Sequence, residues 1–433
     1  MNALIDEDAE LAVLGAIIVR NAAYDDIADV LEPDHFGREH HQQVFTAMRT
    51  LHGQGKAIDY ITLQAELERM GVLEQAGKVF IYKLGDGVPW STNVQYYAGI
   101  VRDRAILRSL RDTARRLITE AEAGEMSGVA LLEQAEADIY GLGSKATTSA
   151  WITNLDLAGR LMPVLDRIFL EKRAITGVAS GFADLDFMTR GFQPADLVLV
   201  GARPSQGKTA FGMQVAQHAS QSVNVAFFSV EMSAEAVGLR ELIQLADVDG
   251  YRLLSGRSTE IEQRRITEGL TEMAQRRITW DDAPYLSPLQ VRSKLRRLQA
   301  QVGAIGLVVI DYLQLMAALP DDRRENKTNQ VAGISRMLKL LAREFRVPFL
   351  VLSQLHRVPE NRRPTMADLR DSGALEQDAD VVLLLHRPEV YEQTDQNKGL
   401  AEVIIGKQRN GPTGIVELAW RGEPMRFENK ARV

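Results

Sequence analysis

The residues whose types and spacing suit them best to chemistry are Gly201-Ala-Arg-Pro-Ser-Gln-Gly-Lys-Thr209, which directly follow the apolar run Leu197-Val-Leu-Val200. A buried strand entering a loop that ends Gly-Lys-Thr at the start of a helix is a phosphate-binding loop. Ala202, Arg203, Pro204, Ser205, Gln206 and Gly207 would wrap the phosphates. The amides of the loop and of the helix N-terminus point at the anion, Lys208 reaches the β- and γ-oxygens, and the Thr209 hydroxyl is a ligand for Mg²⁺. The strict form of the motif has Gly where Ala202 stands, with Gly201 one place early, so this is the relaxed form.

Two carboxylates follow apolar runs. Leu307-Val-Val-Ile-Asp311 would deliver Asp311 to a metal shell beside the loop, although an apolar run ending in Asp equally describes a helix cap. Phe227-Phe-Ser-Val-Glu231 places Glu231 at the end of the next expected strand. There it would polarise an attacking water or, more plainly, support the first turn of the following helix.

The elements that must hold these groups are legible from periodicity. Apolar runs at 197–201, 223–230, 305–310, 347–352, 380–385 and 401–406 read as strands, and those from 197 to 385 are far enough apart for helical crossovers. The expected fold is α/β, with a mostly parallel, buried sheet. Gly414–Trp420 and Met425–Phe427 read as a terminal hairpin. Upstream the pattern is helical. Leu11, Leu14 and Ile18 share a face behind an acidic first turn, Leu63, Leu67 and Met70 stop at Gly71, and Ile106, Leu110, Ala114, Leu117 and Ala121 form a stripe ending near Gly124. These features predict a small all-α domain over 1–142, a linker over 143–175 and an ATPase-type domain over 176–433. Gly141–Ala150 is flexible by composition, and Pro163 should start or kink the amphipathic helix through Val164, Leu165, Ile168 and Phe169.

Composition sets limits on all of this. At 433 residues, 45% hydrophobic, the chain can bury a large core. It has no cysteine, which excludes disulfides, iron–sulfur clusters and cysteine zinc ribbons. No apolar run approaches the roughly 20 residues of a membrane span, and the N-terminus lacks a signal peptide's basic flank. A cytoplasmic protein with no membrane partner is expected. The net charge of −7 runs as a gradient, −9 over residues 1–150, −2 over 151–322 and +4 over 323–433. The acidic third suits protein partners and the basic quarter suits phosphates, unless both are simply solvated faces.

Several further segments complete a series: Thr176–Asp186, Ser229-Val-Glu-Met-Ser233, Asp311-Tyr-Leu-Gln-Leu315, Leu352-Ser-Gln-Leu355, Asp368–Asp380 and Lys407-Gln-Arg-Asn-Gly-Pro-Thr-Gly414. With the phosphate loop, and in the same order and spacing, they resemble the motifs of DnaB-type replicative DNA helicases. Ala9–Gly15 and Gln95–Ala98 are similar to that family's helical domain. The resemblance implies a RecA-like ATPase core that assembles as a ring homohexamer, binds ATP and Mg²⁺ between subunits and threads single-stranded DNA. It implies primase and a helicase loader as partners. By motif position Asp311 completes the metal shell, Glu231 activates water, Gln354 senses the γ-phosphate, and Lys407 and Arg409 form a finger reaching into the neighbouring site. Without the family, those two read as an exposed basic hairpin. Arg370, Asp371 and Gly373 match the DNA-contacting loop, and Arg370 is equally able to pair with Asp368 or Asp371. Three departures stand out: Asp371 and Gln330 where the family usually has Glu, and a shorter loop over 356–366. A RecA-like recombinase and a regulatory ring ATPase without unwinding share the core and are the alternatives.

Overall fold

The computed structural model describes residues 4–84, 93–146, 153–171, 175–316, 326–355, 362–369 and 373–430. It divides into two compact units, Met1–Thr153 and Asn154–Val433.

The first unit is helical. Its helices are α1 (Glu7–Val19), α2 (Glu39–Gly53), α3 (Tyr60–Arg69), α4 (Leu73–Ala76), α5 (Lys78–Lys83), α6 (Val94–Ala123) and α7 (Gly128–Ala146). Asp6 caps α1 by accepting from Ala9 N at 3.0 Å, and Leu14 is fully buried while Leu11 and Ile18 pack at the core's edge. Asp59 caps α3, and Gly124 ends α6 in the left-handed conformation that glycine adopts at no steric cost. The stripe on the second half of α6 is not sealed in the core, for Leu110 and Ile118 are exposed, as are Leu132 and Ile139 on α7. α7 packs against α6 and continues through Gly141 to Ala146. The stretch expected to be flexible from residue 141 is therefore helical as far as Ala146, although each glycine costs a helix roughly 1 kcal/mol. Residues 147–152 lie outside the described set.

The second unit opens with α8 (Asn154–Glu171) and α9 (Ala183–Thr189). Pro163 neither starts α8 nor stops it but lies inside it. The core then alternates β1 (Leu197–Ala202), α10 (Lys208–Ala219), β2 (Asn224–Ser229), α11 (Ala234–Ala246), α12 (Gly250–Leu254), α13 (Glu260–Gln275), β3 (Ile278–Asp281), α14 (Pro288–Val302), β4 (Ile305–Asp311), α15 (Lys327–Phe345), β5 (Phe349–Gln354), α16 (Gly373–Asp378) and β6 (Val381–His386). β7 (Leu400–Gln408), β8 (Gly414–Arg421) and β9 (Arg426–Asn429) finish the chain.

One nine-stranded sheet runs β3-β2-β4-β5-β1-β6-β7-β8-β9. The first six strands are parallel and the last three antiparallel. Alternate residues of the central strands feed two cores, as a pleated strand covered on both faces requires. Leu197 and Leu199 face a layer containing Leu295, Leu338 and Leu341, whereas Val198 and Val200 face Phe211 and Val215 of α10. Every expected strand is present. β3, which sequence reading missed, is a four-residue edge strand too short to show a period.

Candidate active site

β1, β4 and β5 all run toward the same end of the sheet and deposit their last residues side by side, Ala202 opposite Gln354 and Ser229 of β2 opposite Asp311. This is where an open parallel sheet binds ligands. The relaxed spelling of the loop has a packing reason. A Cβ on Gly201 would lie 2.9 Å from Leu355 and Leu384, so the glycine serves the core, while Ala202 ends β1 fully buried. Gly207 carries the other requirement: its φ of +91° suits only glycine, and a Cβ there would meet Phe427 at 2.9 Å and Trp420 at 3.2 Å. The terminal hairpin thus presses on the loop from the side.

Around the loop lies a cavity of about 480 Å³ that includes Lys208, Thr209, Glu231 and Gln354 in its walls. Thr209 Oγ1 donates to Asp311 Oδ2 at 2.6 Å, and Lys208 Nζ lies 3.2 Å from Asp311 Oδ1. Burial holds the Lys208 ammonium below the usual lysine range, opposed by the Asp311 charge. Glu231 is exposed at the cavity wall, and the turn that carries it is fixed by Val230 N donating to Asp311 O at 2.8 Å and Ser229 Oγ donating to Met232 O at 2.7 Å. A second cleft of about 470 Å³ lies behind α10, but its polar walls are paired internally, Gln217 with Gln244 and Arg426 with Glu428.

Ala202, Arg203, Pro204, Ser205, Gly207, Lys208, Thr209, Glu231 and Gln354 line the nucleotide-sized cavity. Gln206 is buried beneath it, its side chain accepting from Arg387 N at 2.6 Å and donating to the Tyr391 hydroxyl at 3.2 Å. Asp311 sits behind Lys208 and Thr209. Lys407 and Arg409 are elsewhere. Val382 pairs with Lys407 and Leu385 with Ala202, so the Lys407–Arg409 segment leaves the sheet at the opposite end of β6. Gly373 begins α16, and Arg370 and Asp371 lie outside the described residues.

Sequence reading missed several wall residues, Tyr312, Arg387, Trp420 and Arg240 among them. Tyr312 places its ring 3.7 Å from Lys208 Nζ. Arg387 stacks on Trp420 with its guanidinium 4.0 Å from the ring centroid, and Arg240 lies in the same wall. Only the position of Tyr312, directly after Asp311, was a usable signal. The others come from distant segments that the sheet alone brings together.

A parallel sheet with a phosphate loop at its carboxyl end, a strand-end Asp against the loop's Lys and Thr, and an antiparallel hairpin closing one side defines a RecA-like P-loop ATPase. Residues 177–429 match the DnaB-like helicase C terminal domain and residues 3–103 the DnaB-like helicase N terminal domain. The chain is 38% identical over 431 residues to the replicative DNA helicase DnaC of Bacillus subtilis (strain 168), covering 98% of this chain and 94% of that protein. It is 40% identical over 441 residues to the replicative DNA helicase DnaB of Pasteurella multocida (strain Pm70), covering 98% and 93%. Among solved structures, a DnaB-like replicative helicase described with its interactions with primase superposes with a TM-score of 0.76 at 30% identity, over 98% of this chain and 100% of that one. The chain belongs to the DnaB family of replicative DNA helicases, and is accordingly an ATP-dependent DNA helicase.

Proposed function

We propose that this chain works in the cytoplasm as a ring homohexamer that hydrolyses Mg²⁺-ATP at its subunit interfaces, moves along single-stranded DNA and parts the duplex at a replication fork. The observation that carries the reading is the separation of the two halves of the catalytic set. Lys208, Thr209, Asp311, Glu231 and Gln354 gather at one end of the sheet. Arg409 N pairs with Asp380 O just before the start of β6, five residues from the strand position opposite Ala202. At about 3.3 Å per residue that is roughly 16 Å. A finger so placed serves a neighbour's nucleotide rather than its own, and a head-to-tail interface of that kind closes into a ring.

Within the site, loop amides and Lys208 hold the phosphates. Thr209 and Asp311 fit Mg²⁺: their oxygens are 2.6 Å apart, and Asp311 Oδ1 is buried with an ion pair to Lys208 but no hydrogen bond. Among the described residues no trio of His, Cys, Asp or Glu gathers as a protein-only metal cage, which suits Mg²⁺, an ion that takes one or two protein ligands and fills its shell with water and phosphate. The metal would neutralise charge on the transferred phosphoryl group. Glu231 orients and deprotonates the attacking water, Gln354 reports the γ-phosphate, and Lys407 and Arg409 stabilise charge in the adjoining site. The Arg387–Trp420 pair offers a flat face to the base. Arg370, Asp371 and Gly373 hold the DNA backbone without reading bases. The acidic helical unit serves the ring collar and docks primase, with a loader as a further partner.

Purified protein with ATP and forked DNAs bearing a 5′ or a 3′ loading tail tests this reading. Unwinding of one fork only, with ATPase stimulated by single-stranded DNA, is expected. Strand exchange without sustained unwinding would make it a recombinase, and full ATPase activity in a monomer would remove the interface site.

A further inference from the structure

Asp380, the last residue before β6, lies where four elements meet and is only 5% exposed. Its Oδ2 accepts from Leu197 N at the start of β1 at 2.8 Å and from Lys339 Nζ of α15 at 2.5 Å. Its Oδ1 is 3.3 Å from Arg409 Nη1, and its backbone carbonyl accepts from Arg409 N at 3.0 Å. One buried carboxylate therefore ties the foot of the phosphate-loop strand to the proposed finger.

α16 supplies the remaining restraints. Arg409 Nη2 donates to Gln377 O at 3.0 Å, and Lys407 Nζ donates to Glu376 O at 2.5 Å. Cations at the C-terminal carbonyls of a helix are favourably placed. The Arg409 side chain is nevertheless half exposed. It is held from behind by Asp380 and α16, with the rest of the guanidinium open to whatever stands opposite.

We propose that Asp380 is the positioning residue for the finger: its carboxylate, bridging Lys339 and Leu197 N to Arg409, fixes the orientation from which Arg409 reaches the neighbouring subunit's nucleotide. This rests on the trans assignment of Arg409 made above. The charge is what the role needs. An Asp presents two acceptor oxygens, whereas Asn presents one oxygen and an amide that donates toward a cation. With Asn at 380, the oxygen would serve Leu197 N and Lys339, and Arg409 would face an NH₂ group that cannot accept from it. The finger would stay on its strand but lose its bearing.

The test uses the full-length protein, with Asp380→Asn, Arg409→Ala and Lys208→Ala assembled singly and in mixed rings verified by native mass. Asp380→Asn alone should bind a fluorescent ATP analogue as the parent does and keep its KM, with kcat lowered at least tenfold. Mixed with Lys208→Ala it should regain turnover, because about a quarter of random interfaces pair an intact loop with an undamaged finger. Mixed with Arg409→Ala it should regain none, since both subunits then lack a working finger.

Recovery in the Asp380→Asn and Arg409→Ala mixture would overturn the proposal, as would weakened ATP binding with kcat unchanged. The two ideas are separable. If Arg409→Ala and Lys208→Ala fail to complement, the trans finger itself is wrong. If they complement and Asp380→Asn with Lys208→Ala does not, only the role of Asp380 falls. Should Asp380→Asn melt well below the parent, Asp380→Glu, which keeps the charge and moves it by one methylene, carries the same mixing test. Its kcat should lie between those of the parent and Arg409→Ala, and a kcat equal to the parent's with no mixing pattern would count against the proposal.

Discussion

The two ends of the parallel sheet are built from the same residue types and do opposite things with them. At the carboxyl end, Lys208 lines a cavity of about 480 Å³ and pairs at 3.2 Å with Asp311 behind it. At the other end, Asp380 is enclosed by Lys339, Arg409 and a backbone amide. An ion pair at a cavity wall can exchange its partner for phosphate and metal, whereas an enclosed one can only hold position. The difference matches the proposed division of labour, in which the open end binds nucleotide and the enclosed end holds a finger for a neighbour.

Substitutions at the open end should have the largest effects. Lys208→Ala, which would remove the proposed phosphate contact, should bind ATP poorly and abolish turnover. Glu231→Gln should bind ATP tightly while turnover falls on the order of 10²–10⁴-fold, the range for a lost general base. Equilibrium binding of a fluorescent ATP analogue beside single-turnover hydrolysis separates the two, and parental hydrolysis by Glu231→Gln would strike it from the role.

At the enclosed end, Arg409→Ala should leave ATP affinity intact and lower kcat by about 10³-fold, the lower range for a finger supplied in trans. A change in affinity with kcat preserved would place Arg409 among structural cations and erase the contrast between the ends.

DNA contacts lie outside the comparison and sharpen it by what they leave alone. Arg370→Ala should weaken single-stranded DNA binding several-fold for all sequences alike and lower the salt slope by about 1, with basal ATPase unchanged. Affinity measured on oligonucleotides of different composition, at two salt concentrations, checks this. Unchanged affinity would return Arg370 to local pairing with an Asp.

The expectation furthest from catalysis concerns a buried carboxylate arranged unlike Asp380. Glu241 on α11 is 1% exposed and neither oxygen has a hydrogen-bond partner among the described residues, so burial pushes its pKa up to about 7. A folded-state value above the unfolded one favours the protonated form. The fold is therefore most stable with respect to this group below about pH 4.5 and loses that stability as pH rises through 7. Glu241→Gln should flatten the dependence and be more stable at pH 8 by on the order of 3 kcal/mol, with little difference at pH 4.5. Urea unfolding at the two pH values reads it directly.

Which parts were legible in the sequence follows from the range of the interactions. The phosphate loop is a local object, because strand, glycine turn and helix N-terminus are consecutive and their chemistry needs no distant partner. Asp311 and Glu231 were partly legible for the same reason, each following an apolar run that reads as a strand, although a helix cap or a helix's first turn fits the same pattern. The strands and the helical first unit followed from periods of two and of 3.6 residues. Composition misled at the glycines that suggested a linker, through which α7 continues as far as Ala146; Pro163 lies inside α8, and β3 is too short to declare itself. Tyr312 over Lys208, Arg387 on Trp420, and Asp380 holding Arg409 were decided by tertiary structure alone. The strand order puts β1 between β5 and β6 and folds β7 back along β6, bringing Leu197 within hydrogen-bond reach of Asp380, 183 positions away. No local pattern records such meetings, since each depends on which strand lies beside which, and that choice is made by burying both faces of the whole sheet at once.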